Sequence, residues 1–353
     1  MQLRMTMSAT LASGPDGTFA EGLGDISATF ARRIQTAYRT ALTMERSVSP
    51  WWGGIVARSK AVHDALLLDG AAELINLLSR PGDHHLFYGF DNLCKEDLDA
   101  VKGSDDLKKR RISEIIYLVG QLACAVGAAR YPCPGVDPDA PAMAGNPRGL
   151  DATMTAIESL AGPLSFPNPF RDEHGLPTMA GVVSHRSIWA FYQSWRSKIL
   201  SQRFGARVLE IGAGLGRAAY FANCFGLTDY TIVDLPMTNV SQAAFLGLAL
   251  GEDRVALTGE TRRDDQIAVY SQDYLRHLGQ DFDLAVNVDS LPEMSPEDTA
   301  LYANLIKERS AALLSINHEG NVETVSAICK DLFRREYRAP FWLRSGYVEE
   351  LFV

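Results

Sequence analysis

The sequence predicts an α/β fold, in which a doubly wound sheet with an antiparallel last strand follows a mainly α-helical N-terminal domain. Three observations lead to this prediction. In the second half of the chain, apolar strand-like segments alternate with amphipathic helical segments, as in a parallel sheet covered by helices on both faces. At 208–216 an apolar run stops at three glycines, and a helical segment follows. In residues 21–131 apolar residues recur with the helical period, and no segment alternates like a strand.

The composition and periodicity of the sequence change at three places, which we interpret as boundaries between segments of the chain. We expect a flexible N-terminus over 1–20, a helical domain over 21–131, a proline-rich connector over 132–180 and a ligand-binding α/β domain over 181–353. Nine of the sixteen prolines lie between 132 and 177, and proline resists helix interiors because it lacks a backbone donor. A connector of this length is either disordered or functional, for example as one wall of a substrate site.

The helices of the first half follow from apolar residues that recur with the 3.6-residue period. Ile26, Phe30 and Ile34 share one face of the first helix, which we expect to be broken between Ser49 and Gly54. The remaining helices before the sheet are predicted at 55–68, 70–79, 105–130, 151–160 and 186–200.

The second half alternates strands and helices in the order expected for βαβ units. The predicted strands lie near 207–211, 230–234, 267–270, 282–288 and 311–317. The predicted helices lie near 215–225, 238–249, 295–309 and 321–333. Segments 336–339 and 347–353 flank Ser345 and Gly346, which predicts an antiparallel pair that completes the sheet.

Composition and charge argue against several classes of function. The 34 basic and 43 acidic residues give a net charge of −9 without a basic tract, so a nucleic-acid partner is not expected. The longest apolar run, 115–129, is shorter than the ~20 residues that span a bilayer, and no continuous apolar segment follows Arg4 as in a signal peptide. The five cysteines are scattered without a C-x-x-C pair, which disfavours disulfides and a zinc site and favours a cytoplasmic location.

The strand–turn–helix pattern at 208–217 marks the ligand end of the predicted sheet. Ligands of open parallel sheets bind beyond the carboxyl ends of the strands. Here the first strand carries Glu210 directly before a Gly-x-Gly-x-Gly turn, and the second strand ends on Asp234. A carboxylate at the second position can accept both hydroxyls of a ribose. These features fit both S-adenosylmethionine (SAM) and a nicotinamide dinucleotide.

Two details separate these cofactors. A dinucleotide site has Gly-x-Gly-x-x-Gly spacing and sets a pyrophosphate on a helix N-terminus, whereas the spacing here is Gly-x-Gly-x-Gly. Glu210 would repel a diphosphate but suits the ammonium and sulfonium groups of SAM. The sequence therefore favours SAM, with S-adenosylhomocysteine (SAH) as product, over NAD.

Two family resemblances follow from these motifs. Residues 207–353 resemble the class I SAM-dependent methyltransferases of Rossmann-like fold, with 210–217 as the first motif and Asp234 as the second. More narrowly, residues 80–353 resemble a family of sugar O-methyltransferases from bacterial natural-product and polysaccharide pathways. The segments that carry this narrower resemblance are 85–90, 282–287 with Ser290, Glu293 and Met294, and 315–319.

The resemblance implies a cofactor role for twelve residues. These are Glu210, Gly212, Ala213, Gly214 and Gly216 around the methionine moiety, Asp234 on the ribose, Ser271 or Gln272 near the adenine, and Asn287 or Val288 beside the sulfonium, together with Arg217 and Leu235.

The later strand ends carry polar residues that suit methyl transfer. A sugar hydroxyl is a poor nucleophile at neutral pH, so a general base is expected to contribute about 10²–10⁴-fold. His318 is the first candidate because histidine exchanges protons near neutral pH, although it could instead only cap the following helix. Asp289, Glu293 and Glu319 either orient His318, or one of them is the base.

Contacts to the substrate are expected from His185, Tyr192 and Tyr88, with the alternative that His185 only begins its helix. Asp289 and Glu293 could also hold a divalent metal, with oxygen ligands of the kind such ions prefer. The sequence has no run of three acids at this place, so a metal is not expected.

These observations predict a SAM-dependent methyltransferase that acts on a hydroxyl of a sugar or glycosylated natural product by direct methyl displacement. We expect a small-molecule substrate, no nucleic-acid or membrane partner, and a chain that can form a homodimer through its helical domain. Two alternatives stay open. One is an O- or N-methyltransferase of a non-sugar natural product, and the other is a cofactor-binding protein without catalytic activity.

Overall fold

The structure, a computed structural model, describes most of the chain. The described ranges are 16–44, 50–131, 149–274, 279–320 and 323–353. Most of the predicted N-terminal segment and the first part of the predicted connector lie outside these ranges. Within the described residues, no helix has the length and apolar content needed to cross a membrane.

The first half of the described chain is built mainly from helices, as predicted. They are α1 (Ala28–Leu42), α2 (Pro50–Arg58), α3 (Lys60–Leu67), α4 (Ala72–Leu78), α5 (Lys95–Lys102), α6 (Asp105–Ala125) and α7 (Leu150–Ala161). The predicted break at 49–54 is wrong in its extent, because α2 begins at Pro50 and includes Gly53 and Gly54. Proline is well suited to a first helical turn, where its missing N–H has no helical partner to lose.

A small antiparallel sheet joins the start of the described chain to the predicted connector. Its strands are β1 (Thr18–Phe19), β2 (His174–Thr178) and β3 (Gly181–Val183), in the order β1-β2-β3. The sequence analysis did not predict these strands, since they are short and carry no sustained alternation. The connector therefore contains a hairpin as well as α7.

The second half forms the predicted doubly wound sheet. Its strands are β4 (Val208–Ile211), β5 (Tyr230–Asp234), β6 (Val255–Leu257), β7 (Ile267–Ser271), β8 (Leu284–Val288), β9 (Leu313–His318), β10 (Arg335–Pro340) and β11 (Tyr347–Phe352). Its helices are α8 (His185–Phe204), α9 (Arg217–Cys224), α10 (Pro236–Leu250), α11 (Pro296–Arg309) and α12 (Val325–Cys329). The three-residue strand β6 was not predicted, and α12 is shorter than its predicted range.

The strand order is β10-β11-β9-β8-β4-β5-β7-β6. Strands β4 to β9 run parallel, whereas β11 pairs antiparallel with both β9 and β10. This confirms the predicted α/β fold with an antiparallel last strand. The order reverses between β4 and β8, and a reversal of this kind opens a crevice at the carboxyl ends of the strands.

One apolar cluster extends from the helical half into the sheet domain. Phe30 of α1 is fully buried and packs against α10 at Gly247, where an added Cβ would lie 2.3 Å from the phenyl ring. Gly247 is thus required for the close approach of the two helices. Because the two halves share this cluster, the helical half is fixed relative to the sheet. The division into domains at 131 and 180 remains a prediction.

A buried ion-pair group connects the helical half to the start of α9. The Arg217 guanidinium contacts Asp91 through two hydrogen bonds, of 3.0 and 3.2 Å, and Glu173 at 3.0 Å. All three residues are buried. Burial by itself would raise the pKa of Asp91, but the charge and hydrogen bonds of Arg217, with smaller contributions from Arg186 and the Leu93 N–H, together outweigh this effect and lower it.

We expect Arg217→Met to destabilise the protein by about 3–5 kcal/mol, since it leaves two buried carboxylates without their cation. The measurement is urea unfolding at pH 7. Arg207→Gln is the matched control because its ion pair with Asp283 lies at the surface, where removal costs little. Equal losses in the two variants would contradict a structural role for the Arg217 group.

Candidate active site

A cavity opens at the carboxyl ends of β4, β5 and β8, where the strand order reverses. Its walls come from the glycine turn, the ends of these strands, helix α8, the segment before α5 and the loop before β11. Its lining includes Glu210, Gly212, Ala213, Gly214, Arg217, Asp234, Leu235, Gln272, Val288, Asp289 and Glu293. Eleven of the predicted site residues are thus brought together around one cavity.

The glycine turn adopts a backbone conformation that other residues rarely take. Gly212, Gly214 and Gly216 have φ values of +74°, +56° and +88°, in the left-handed region that glycine enters without strain. A Cβ on Gly212 would also lie 2.2 Å from the Ser290 hydroxyl. The turn can therefore approach both β8 and a ligand closely. Gly216 does not line the cavity, and it is needed where α9 begins.

Glu210 presents a buried carboxylate to the cavity. It accepts a hydrogen bond of 2.9 Å from the Tyr230 hydroxyl, and no Lys or Arg among the described residues forms an ion pair with it. Burial raises its pKa to about 7, and the charge of Asp234 adds to this effect. A cation bound in the cavity would supply the missing counter-charge.

Asp234 ends β5 and is held by groups on both sides. One carboxylate oxygen accepts the Leu235 N–H at 2.8 Å, and the other accepts the Gln242 side-chain amide at 2.7 Å. The same amide donates to the Gly214 carbonyl at 3.0 Å. Burial raises the pKa of Asp234 to about 6. Gln242, which the sequence analysis missed, thus couples the acid of the second strand to the glycine turn.

Three of the four predicted catalytic residues cluster at the ends of β8 and β9. Ligand atoms of Asp289, Glu293 and His318 all lie within 4.8 Å of one another. The two oxygens of Asp289 accept hydrogen bonds from Arg344 and Tyr347, both of 2.7 Å. Burial, followed by the charge of Asp289, raises the pKa of Glu293 to about 7.

This cluster has the donor types of a divalent-metal site, but Arg344 competes with a metal for Asp289. The Arg344 guanidinium already neutralises Asp289, and Asp289 lies 3.7 Å from the His318 Nε2 atom. We assign no ion to this cluster.

Two predicted cofactor residues lie beneath the cavity rather than in its wall. Asn287 is fully buried, donates to the Ile211 carbonyl at 3.0 Å and accepts from the Asn317 amide at 3.0 Å. It therefore holds the ends of β4, β8 and β9 together. Ser271 is buried, with its N–H bonded to the Thr258 hydroxyl at 2.9 Å. Gln272, the next residue, lines the cavity instead.

Glu319, which was predicted to help the base, lies away from the cavity. Its carboxylate forms two hydrogen bonds with Arg338, of 3.0 and 2.7 Å, and these lower its pKa. Tyr88 is not part of the lining either, and the guanidinium of Arg58 lies 4.6 Å from its ring centroid. Both side chains have local partners that explain their positions.

Helix α8 turns a different face to the cavity from the one predicted. The Tyr192 hydroxyl donates to Glu349 at 2.8 Å beneath the cavity wall, and His185 contacts the edge of Trp189. Burial lowers the pKa of His185 to about 3, which leaves the imidazole neutral. The face that lines the cavity carries Arg186, Trp189, Ala190 and Gln193. Their i, i+3, i+4, i+7 spacing is visible in the sequence, but only the packing of α8 decides which stripe faces inward.

The sequence matches no protein-family model and no curated protein. Solved structures with a likeness to the chain include magnesium protoporphyrin IX methyltransferase (ChlM) from Synechocystis PCC 6803 with bound SAM, at 12% identity and a TM-score of 0.33 over 48% of this chain and 78% of that one. Mitomycin 7-O-methyltransferase MmcR has 12% identity and a TM-score of 0.35 over 92% and 94% of the two chains. PigF with SAH has 13% identity and a TM-score of 0.30 over 72% and 97%. Likenesses this weak assign no activity to the chain.

We expect the raised pKa of Glu210 to make stability depend on pH. The folded protein retains a proton on Glu210 that the unfolded chain, at an ordinary value of 4.5, releases. The resulting stabilisation is complete below pH 4.5 and is lost as the pH rises through about 7.

The stability of the wild type relative to Glu210→Gln should accordingly fall by about 2–3 kcal/mol between pH 5 and 8. Urea unfolding at several pH values in this range measures the difference. Glu308→Gln, at an exposed position of α11, is the control and should follow the wild type. If the difference in stability between the wild type and Glu210→Gln stays constant with pH, the pKa of the Glu210 carboxyl is not raised.

Proposed function

We propose that the chain is a SAM-dependent methyltransferase that transfers the methyl group to a hydroxyl of a small molecule. The observation that carries this proposal is one cavity in which a left-handed glycine turn lies beside two carboxylates, the first buried and the second partly buried, that have no ion-pair partners among the described residues. These are Glu210 and Asp234. SAM complements this arrangement because it carries an ammonium and a sulfonium together with a ribose diol.

The same carboxylates argue against a dinucleotide. A diphosphate seated on the glycine turn would lie close to Glu210, and like charges at such short distance repel each other. Asp234, with both oxygens held in place by Leu235 and Gln242, is suited to accept the two ribose hydroxyls. The charge of the cavity therefore supports SAM over NAD.

Methyl transfer requires the acceptor oxygen to approach the methyl carbon in line with the C–S bond. The oxygen–carbon bond forms as the carbon–sulfur bond breaks, SAM becomes SAH, and the hydroxyl proton passes to a base. Holding the two reactants in this geometry can supply up to about 7–11 kcal/mol of the barrier reduction. We infer that the acceptor enters beside Asp289 and Glu293, which line the cavity next to the cofactor region.

Glu293 fits the role of general base better than His318. The Nδ1 atom of His318 accepts the Gly320 N–H at 3.2 Å, its Nε2 atom lies 3.7 Å from Asp289, and its side chain is not part of the cavity lining. Glu293 lines the cavity, and its pKa of about 7 suits proton transfer near neutral pH.

We propose a sugar or a glycosylated natural product as acceptor. The resemblance of segments 85–90 and 315–319 to sugar O-methyltransferases supports this substrate class. Phe90 and Trp189 add aromatic surfaces to the cavity, and Gln193 adds a polar side chain. Aromatic faces beside hydrogen-bonding groups suit the apolar faces and the hydroxyl rim of a sugar ring.

SAM or SAH should raise the melting temperature, whereas NAD should not. At 100 times Kd a ligand adds about 2.7 kcal/mol, which corresponds to roughly 4 °C for a chain of this length. Thermal unfolding with SAM, SAH or NAD measures this, and Gly212→Ala should abolish the shift because its Cβ disrupts the turn. A shift with NAD alone would overturn the proposed function.

Glu293→Gln should lower kcat by about 10²–10⁴-fold, while His318→Gln should retain most of the activity. The wild-type rate should rise with pH and level off above about 7 as Glu293 loses its proton. SAH formation with a panel of hydroxylated sugars and phenols measures turnover. Glu319→Gln, at the surface pair with Arg338, is the matched control.

The opposite result, with His318→Gln inactive and Glu293→Gln active, would identify His318 as the general base. Binding of SAH without turnover of any acceptor by the wild type would instead favour a cofactor-binding protein without catalysis.

A further inference from the structure

Two guanidinium groups flank one indole ring in the cavity. Arg344 lies 4.7 Å and Arg186 lies 5.7 Å from the ring centroid of Trp189. The indole N–H donates to the Leu343 carbonyl at 3.0 Å, which fixes the ring against the loop before β11. Trp189 therefore holds both cations at defined positions in the wall.

The two cations differ in their partners. Arg344 is neutralised by Asp289 at 2.7 Å. Arg186 donates through Nε to the Asn92 side-chain oxygen at 3.0 Å, and among the described residues no carboxylate lies within ion-pair distance of it. Asp91, on the neighbouring segment, is already bound by Arg217. Among the described residues, the two terminal nitrogens of Arg186 thus have no hydrogen-bond acceptor.

This arrangement is unfavourable for the protein alone. Partial removal of a cation from water without an ion-pair partner costs free energy, and burial lowers the pKa of Arg186 although the charges of Asp91 and Asp289 act in the opposite direction. The residue is also in the first turn of α8, which contains no acidic residue, and a helix dipole disfavours a cation at that end. A local conflict of this kind, on the wall of a cavity, points to a ligand that resolves it.

The acids around Arg186 restrict the kind of anion that can bind. Glu210, Asp234, Asp289 and Glu293 line the same cavity, so a dianionic phosphate would meet strong repulsion. A carboxylate carries one charge and matches the planar fork of a guanidinium with two parallel hydrogen bonds.

We propose, on the basis of the proposed function, that Arg186 binds a ligand carboxylate through its two terminal nitrogens. Two ligands could supply this group. One is the cofactor, through the carboxylate of its methionine moiety, and the other is an acceptor that bears a carboxylate, such as a uronic acid. In either case Arg186 selects for an acid against the corresponding neutral compound.

The first arm of the test addresses the cofactor. Calorimetric titration compares SAH with its decarboxylated analogue on the wild type, Arg186→Gln and Arg186→Lys. If Arg186 holds the cofactor, Arg186→Gln should bind SAH about 10- to 100-fold more weakly and bind the decarboxylated analogue as the wild type does. Arg186→Lys keeps the charge but loses the fork, and its affinity should be intermediate.

The second arm addresses the acceptor. Protein saturated with SAH is titrated with D-glucuronate against D-glucose, and with 3-hydroxybenzoate against 3-hydroxybenzyl alcohol. If Arg186 holds the acceptor, the wild type should prefer the acid of at least one pair, and Arg186→Gln should lose that preference while it binds SAH normally. Arg254→Gln, outside the cavity, controls for the loss of one positive charge.

Either positive arm supports the proposal and identifies the source of the carboxylate. The proposal is overturned if Arg186→Gln, with an unchanged urea midpoint, binds SAH like the wild type and no acid has an advantage over its alcohol in the wild type. If the wild type does not bind SAH, the proposed function fails. The acid–alcohol pairs, titrated without cofactor, then test Arg186 independently.

Discussion

The Arg217 ion-pair group joins three segments that lie far apart in the chain. Arg217 follows the glycine turn directly, Asp91 belongs to the segment before α5, and Glu173 precedes β2. A buried group of this kind is no more stabilising than a well-packed apolar one. Its effect is geometric, because it joins the segment of Phe90 and Asp91 to the residue that follows the glycine turn, and both segments line the cavity.

Several of the charged groups that line the cavity have no ion-pair partner among the described residues. Glu210 and Glu293 have raised pKa values because burial disfavours their ionised forms, while Arg186 has no counter-ion among the described residues. A ligand with a positive centre and a carboxylate would pair with both the acids and Arg186. The free energy that it costs to bury these groups without partners is regained when such a ligand binds, which favours it over neutral or multiply negative ligands.

The sequence predicted those parts of the site that depend on local rules. Strand ends, the glycine turn and Asp234 could be located because buried strands are continuous apolar runs and parallel strands present their carboxyl ends together. It did not predict the face of α8 that carries Arg186 and Trp189, since packing against α9 and the sheet sets that rotation. Gln242 was missed for the same reason. Arg217 was predicted to contact the cofactor because it directly follows the glycine turn, but its guanidinium forms an ion pair with Asp91.

Asp289 shows what the antiparallel last strand contributes to the site. It has a φ of +56°, a conformation that costs a residue with a side chain about 1–3 kcal/mol and persists only where its surroundings impose it. Arg344, in the loop before β11, and Tyr347, the first residue of β11, each donate a hydrogen bond to its carboxylate. Because Tyr347 pairs with His318 at the end of β9, its hydroxyl is held in register beside the end of β8. The antiparallel strand β11 thus helps to hold the strained Asp289 in place, close to Glu293 and to the proposed acceptor.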